Sequence, residues 1–171
     1  MTKSMREDRS IREHLIRLLD GRQAHASWED VVTSFPSGLR GKKPGGAPHT
    51  PWQLLEHMRI AQWDILEFSR RAEHVSPDFP EGYWPKSAEP PDDGDWEKSV
   101  EAFRSDLEAM KALVGDESSD LLARIPHGTG QTLLREALLV ADHNAYHLGQ
   151  IVLLRKILGG FWSDSKIEGL G

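Results

Sequence analysis

The sequence predicts an all-α protein, an antiparallel four-helix bundle with long crossover loops. Three observations carry that prediction. Apolar residues recur at three- and four-residue steps in several separate segments, which is the period of an amphipathic helix. No segment alternates apolar and polar residues in the manner of a half-buried strand. Two stretches rich in proline and glycine separate the periodic segments and interrupt any continuous helix. Helices joined in this way bury their apolar stripes against one another, and a bundle accomplishes it.

The first helix is expected over residues 10–20, where Ile11, Leu15, Leu18 and Leu19 stand at helical spacing and Gly21 can end the run. A short second helix starts at Ser27. Residues 34–48 hold four glycines and three prolines and are expected as a loop. The next start signal is the strongest in the chain. Thr50 suits the N-cap, Pro51 the first helical position and Gln53 the third, which together make a capping box with proline where its missing N–H matters least. That helix is expected to run to about Arg71. One stripe along it carries Leu55, Met58, Gln62, Ile65 and Leu66; its neighbour carries Leu54, His57, Ala61, Asp64 and Phe68.

Residues 74–94 contain five prolines and form a long irregular crossover, uncommon unless it covers something. Asp95 can then cap a helix whose Trp96, Val100, Phe103, Leu107, Met110 and Val114 make a core stripe, closed by Gly115. The last helix is expected from Gln131 or Thr132 to Leu158. One of its stripes is apolar: Leu134, Leu138, Ala141, Ala145, Leu148 and Val152. The other mixes Glu136, Val140, His143, His147, Gln150 and Leu154. With both faces occupied, this helix is expected to be surrounded on most sides.

Bulk composition narrows the function. A chain of 171 residues suits one helical-bundle domain over 1–171. The net charge of −6 is spread along the chain with no basic stripe, which argues against nucleic-acid binding. There is no apolar signal core and no span long enough for a bilayer, so a soluble, cytoplasmic protein without a membrane partner is expected. The absence of cysteine excludes disulfides, cysteine nucleophiles and thiolate metal sites. Any metal site must draw on the eight histidines and the carboxylates.

Within ADHNAYHLGQ, His143 and His147 stand one helical turn apart and point the same way, so both imidazoles can reach one ion. The pair sits in a mostly apolar helix, where unpartnered imidazoles are costly to bury. His57 supplies a third imidazole from the best-capped helix, and bundle metal sites draw ligands from facing helices. Three neutral imidazoles without thiolate suit Zn(II), Ni(II), Fe(II) or Mn(II) and leave an open position for water or a small-molecule substrate. A water held there becomes acidic enough to act as nucleophile or base. The same histidines also fit a metal-free polar network in the core.

Asp64 is either an acceptor for an imidazole N–H, a general base, or a salt-bridge residue to a neighbouring helix. Gln150 either hydrogen-bonds a ligand histidine or substrate, or marks the bundle rim. Glu56 points away and is expected as an exposed or interhelical salt-bridge residue. His25 and His49 are expected as surface or backbone-bonded loop residues, with the site entrance as the alternative. His14, His74 and His127 are expected in solvent. Tyr83, Trp84 and Trp96 are expected to pin the crossover to the core rather than roof a pocket.

The segments ALLVADHNAYHLGQIVLLRKILG and HTPWQLLEHMRIAQWDILEFSRR resemble the DinB/YfiT-like superfamily of small four-helix-bundle metalloproteins. GRQAHASWEDVVTSFP and LRGKKPGG extend the likeness to the first part of the chain. In that superfamily one histidine of the second long helix and two from an HxxxH on the last helix hold a divalent metal. The resemblance thus implies His57, His143 and His147 as ligands. Relatives include metal-dependent thiol transferases using bacillithiol or mycothiol, a mycothiol-dependent maleylpyruvate isomerase, and members without assigned activity. A metal-dependent enzyme performing hydrolysis or thiol transfer on a small molecule is implied, with a low-molecular-weight thiol as a further cofactor. The other reading is a non-catalytic metal- or small-molecule-binding bundle. A homodimer is implied by the same resemblance and by the frequency of small symmetric dimers, with Phe161 or Trp162 in one conceivable interface.

Overall fold

Thr50 starts the helix that organises the rest. In the computed structural model, which describes residues 3–22 and 24–159, Thr50 Oγ1 accepts from the Gln53 N–H at 3.2 Å. Gln53 Oε1 accepts from the Thr50 N–H at 3.1 Å. The capping box read from the sequence is therefore closed, with Pro51 at the first position. The same Thr50 hydroxyl donates to the Ala88 carbonyl at 2.6 Å and ties the crossover to the helix start.

Among the described residues five α-helices follow in chain order: α1 (Lys3–Asp20), α2 (Trp28–Val32), α3 (Pro51–Arg70), α4 (Asp95–Gly115) and α5 (Leu133–Ile157). Single 3-10 turns occupy Ser37–Leu39 and Glu81–Tyr83. The long helices α1, α3, α4 and α5 form an antiparallel four-helix bundle. Here α3 packs against α4 and α5, and α1 closes the other side against the same two. No strand forms among the described residues; Arg124 and Thr132 make one isolated bridge. None of the described helices is long and apolar enough to cross a membrane.

The bundle is filled by the expected stripes of α3 and α4: Leu54, Leu55, Met58 and Leu66 meet Trp96, Phe103, Met110 and Val114. Short α2 lies across this core. Its Trp28 stacks on Phe103 with centroids 3.8 Å apart, and the Val32 carbonyl accepts from Trp96 Nε1. Arg155 of α5 holds the same end by donating to the Val31 carbonyl at 3.0 Å and the Ser34 carbonyl at 3.1 Å. A buried amide chain crosses the middle. Asn144 donates to Gln62 Oε1, and Gln62 donates to the Phe103 carbonyl, linking α5, α3 and α4.

Several expectations are corrected. Helix α1 begins at Lys3, well before residue 10. Its inward face is Leu15 and Leu19 with Arg12, while Ile11 and Leu18 are exposed. Arg12 is drawn inward because its guanidinium satisfies the carbonyls of Val114, Asp116 and Ser119 where α4 ends. Asp95 is not the cap of α4. Gly94 holds that position without a side-chain bond, because the Asp95 carboxylate turns back to the Asp92 N–H and to Lys98.

The helix surrounded on most sides is α3, not α5. Leu133, Ala137, Val140, Leu148 and Ile151 of α5 face inward, of which Val140 and Leu148 come one from each stripe read from the sequence and the others from neither, and Leu138, Tyr146, Leu153 and Ile157 are exposed. The reason is position: α3 is sandwiched by two helices and roofed by the crossover, whereas α5 keeps an outer face. Glu56 is buried and pairs with Arg59 one turn along its own helix, so it is neither exposed nor interhelical. Phe161 and Trp162 lie outside the described residues.

Candidate metal centre

His57 sits in the second turn of α3, and His143 and His147 lie one turn apart on α5. Because α3 packs on α5, the three imidazoles converge between the helices. Their centroids are 4.5 Å, 4.6 Å and 4.9 Å apart, and one nitrogen from each lies within 4.8 Å of the others. His57 and His147 are buried and His143 is partly so.

Hydrogen bonds orient two of the rings. His57 Nδ1 stands 2.9 Å from the Tyr83 carbonyl. A carbonyl only accepts, so Nδ1 carries the proton and Nε2 presents its lone pair inward. His147 Nδ1 likewise donates to Gln150 Oε1 at 3.2 Å. His57 Nε2 then faces His143 Nε2 at 3.1 Å. Two nitrogens each about 2.0–2.1 Å from one ion stand about 3 Å apart at ordinary coordination angles, so this spacing fits shared ligation. With its own proton at Nδ1, His57 Nε2 accepts from the His143 Nε2–H across this gap.

Electrostatics favour the ligand form. Burial, with the neighbouring His147 and His57, pushes His143 down to about 4. His57 is lowered by burial, opposed by the Tyr83 carbonyl, and His49 adds to the lowering. His147 is lowered by burial and by His57, against the bond to Gln150. All three are neutral bases at neutral pH, as metal ligation requires.

The crossover does more here than pin itself down. Trp84 stacks on His57, ring centroids 3.9 Å apart and planes within 1°, while His49 stacks on the other face of Trp84 at 3.9 Å. Trp84 therefore walls the histidine cluster, whereas its place in the sequence favours loop anchoring over roofing a pocket. His49 reaches the surroundings of the site through that stack. Trp96 is core, as expected.

Asp64 touches none of the three imidazoles. It accepts from the Tyr83 hydroxyl at 2.6 Å and from His74 Nε2 at 2.7 Å. Its link to the cluster is thus indirect: it holds the tyrosine whose carbonyl holds His57. His74, expected in solvent, is tucked against Asp64 with its side chain almost fully covered, because the carboxylate needs a second donor there. His25 is exposed and backbone-bonded, and His14 and His127 are exposed, as expected. The Tyr83 carbonyl carried no sequence signal, since any residue supplies a carbonyl. Aromatics among the prolines of the crossover were the available hint for Trp84.

A helical bundle with three interior histidines poised to hold a metal ion defines the class of this protein. The sequence profile of the DinB superfamily matches residues 21–151, and the chain belongs to that family. No curated protein matches the chain. No solved structure matches it.

Proposed function

We propose that the protein is a metal-dependent enzyme acting on a small molecule, with His57, His143 and His147 as the ligands of one divalent transition ion. One observation carries the reading: three neutral imidazoles converge while Tyr83 and Gln150 take the outward N–H groups of His57 and His147. Three protein ligands leave a coordination position open, the pattern of catalytic rather than structural sites. A bound Zn, Ni, Fe or Mn ion would supply Lewis acidity toward a substrate group or thiol placed there. The chain's own part is to hold the imidazoles neutral, fix their orientation from behind, and keep one wall dry with Trp84. The reaction is hydrolysis or S-transfer, the latter with a low-molecular-weight thiol as second reactant.

Elemental analysis of untagged protein purified without chelator tests the metal. About one equivalent of a divalent ion, lost in His57→Ala and His143→Ala, is expected. Absence of metal after equilibration with Zn(II), Ni(II), Fe(II) and Mn(II) would leave the histidines a polar core network. Variants that lose stability sharply in a holoprotein without turnover would favour a binding module over an enzyme.

The proposal includes a cytoplasmic setting, supported by the absence of cysteine, and a homodimer, supported by Leu138 and Tyr146 exposed on the outer face of α5. A monomer at micromolar concentration in light scattering would refute the dimer.

A further inference from the structure

Beside the histidine cluster lies a cleft of about 450 Å³, formed where residues 44–49 pass the C-terminal turns of α5. Its far wall is Leu153, Leu154 and Ile157, with Leu54 of α3 also lining it. The near wall is Pro44, Gly45, Gly46, Ala47 and Pro48, which are small and apolar. Gly46 needs its glycine, with φ of +83°, and a Cβ at either Gly45 or Gly46 would meet nothing within 4 Å. Small residues thus keep this space open. Among the described residues no acidic side chain lines it, and the only polar side chains are His49 and Gln150. A mostly apolar concavity of this size with two placed polar groups has the makeup of a small-molecule site.

Both polar groups also belong to the surroundings of the three histidines. Gln150 Oε1 accepts from His147 Nδ1, and His49 stacks on the Trp84 ring that stacks on His57. The cleft therefore adjoins the cluster through two residues, one behind each of two imidazoles.

We propose that this cleft binds the apolar body, an aliphatic chain or an aromatic ring system, of a small uncharged or weakly polar molecule, and sets the substrate class of the site. The inference rests on the metalloenzyme reading for its catalytic meaning, but the pocket itself does not require the ion. Leu153, Leu154, Ile157 and Leu54 supply the apolar contact. Gln150 and His49 hydrogen-bond a polar group at the end facing the histidines. An anionic residue on the leucine wall would abolish the fit.

N-phenyl-1-naphthylamine, an uncharged two-ring fluorophore, is the probe. Titration into chelator-treated protein is expected to give saturable binding of one probe per chain with a blue-shifted emission. Leu153→Asp replaces a residue that is 57% exposed and so leaves the fold intact. It should weaken probe binding at least tenfold while metal stoichiometry is unchanged. Leu122→Asp, at an exposed leucine that does not line the cleft, should bind as the parent does. Absence of saturable binding, or equal affinity in Leu153→Asp, overturns the proposal. A dimer that Leu153→Asp converts to monomer, with no probe bound, would show that a second copy covers this face instead. Loss of the metal reading alone would leave the probe results standing, so the two failures are distinguishable.

Discussion

Replacing Tyr83 with phenylalanine removes one oxygen and tests how His57 is held. The hydroxyl donates to the Asp64 carboxylate at 2.6 Å, and the backbone carbonyl of the same residue accepts from His57 Nδ1 at 2.9 Å. A hydrogen bond to a charged acceptor contributes about 1.5–3 kcal/mol, so Tyr83→Phe should destabilise the metal-free protein by about 2 kcal/mol. The carbonyl itself survives, but its anchor is gone and the crossover turn can drift. Loss of a partner behind a ligating histidine reduces metal affinity about 10–100-fold. Because the partner is loosened rather than deleted, the lower end of that range is expected, with stoichiometry unchanged. Competition for Zn(II) against a chromophoric chelator measures the affinity, and urea unfolding of the chelator-treated protein measures the stability. Lost stability with undiminished Zn(II) affinity would refute the link from Asp64 through Tyr83 to His57. The phenol offers a second check. Burial and the bond to Asp64 push Tyr83 up to about 12 from an ordinary value of 10.0. A raised value means its contribution is complete below pH 10 and is lost as pH rises toward 12. The stability gap between the parent and Tyr83→Phe should therefore narrow across that window.

Other residues make separate predictions. Thr50→Ala removes the cap of α3 and the donor to the Ala88 carbonyl, and should cost about 2 kcal/mol in urea unfolding; a change under about 0.5 kcal/mol would mean the crossover is held elsewhere. Arg12→Met leaves the carbonyls of Val114, Asp116 and Ser119 without that donor and should cost about 2–4 kcal/mol, where an exposed arginine would cost almost nothing. In metal-free protein, His143 is held down to about 4 while the unfolded chain takes its proton near 6.5. Stability should be level above pH 6.5 and fall as pH drops toward 4, by at most about 1.4 kcal/mol per pH unit and less where solvent reaches the ring. The same slope in His143→Gln protein would assign the effect to other groups.

The helices of this protein are legible in local chemistry. Thr50, Pro51 and Gln53 announce α3 because a capping box is made within four residues, and Ser27 and Thr132 announce α2 and α5 as N-caps whose hydroxyls accept one backbone N–H each. The core of α4 follows from a stripe that one helix displays without help from its neighbours. His143 and His147 are also local, since four residues of helix bring them to one face. The DinB superfamily profile spans residues 21–151, which include these stretches.

Other features depend on pairs far apart in the chain. Nothing near Asp64 indicates that it faces Tyr83 and His74 rather than an imidazole, and nothing near Trp84 indicates that it lies between His49 and His57. Residues 74–94 follow no helical or strand period that would say where each side chain points, so their contacts arise only when the crossover settles on α3. Arg12 looks like one more surface charge until the end of α4 presents it with three carbonyls. The amount of α5 left exposed is likewise a matter of which helices surround it, which periodicity does not encode. The sequence by itself determined the core spans of the helices, the caps of α2, α3 and α5, and the pairing of His143 with His147, because each is written in spacing along one helix. Only the tertiary structure decided what stands behind those imidazoles and where the adjoining cleft opens, because those contacts join residues that the chain's own period does not bring together.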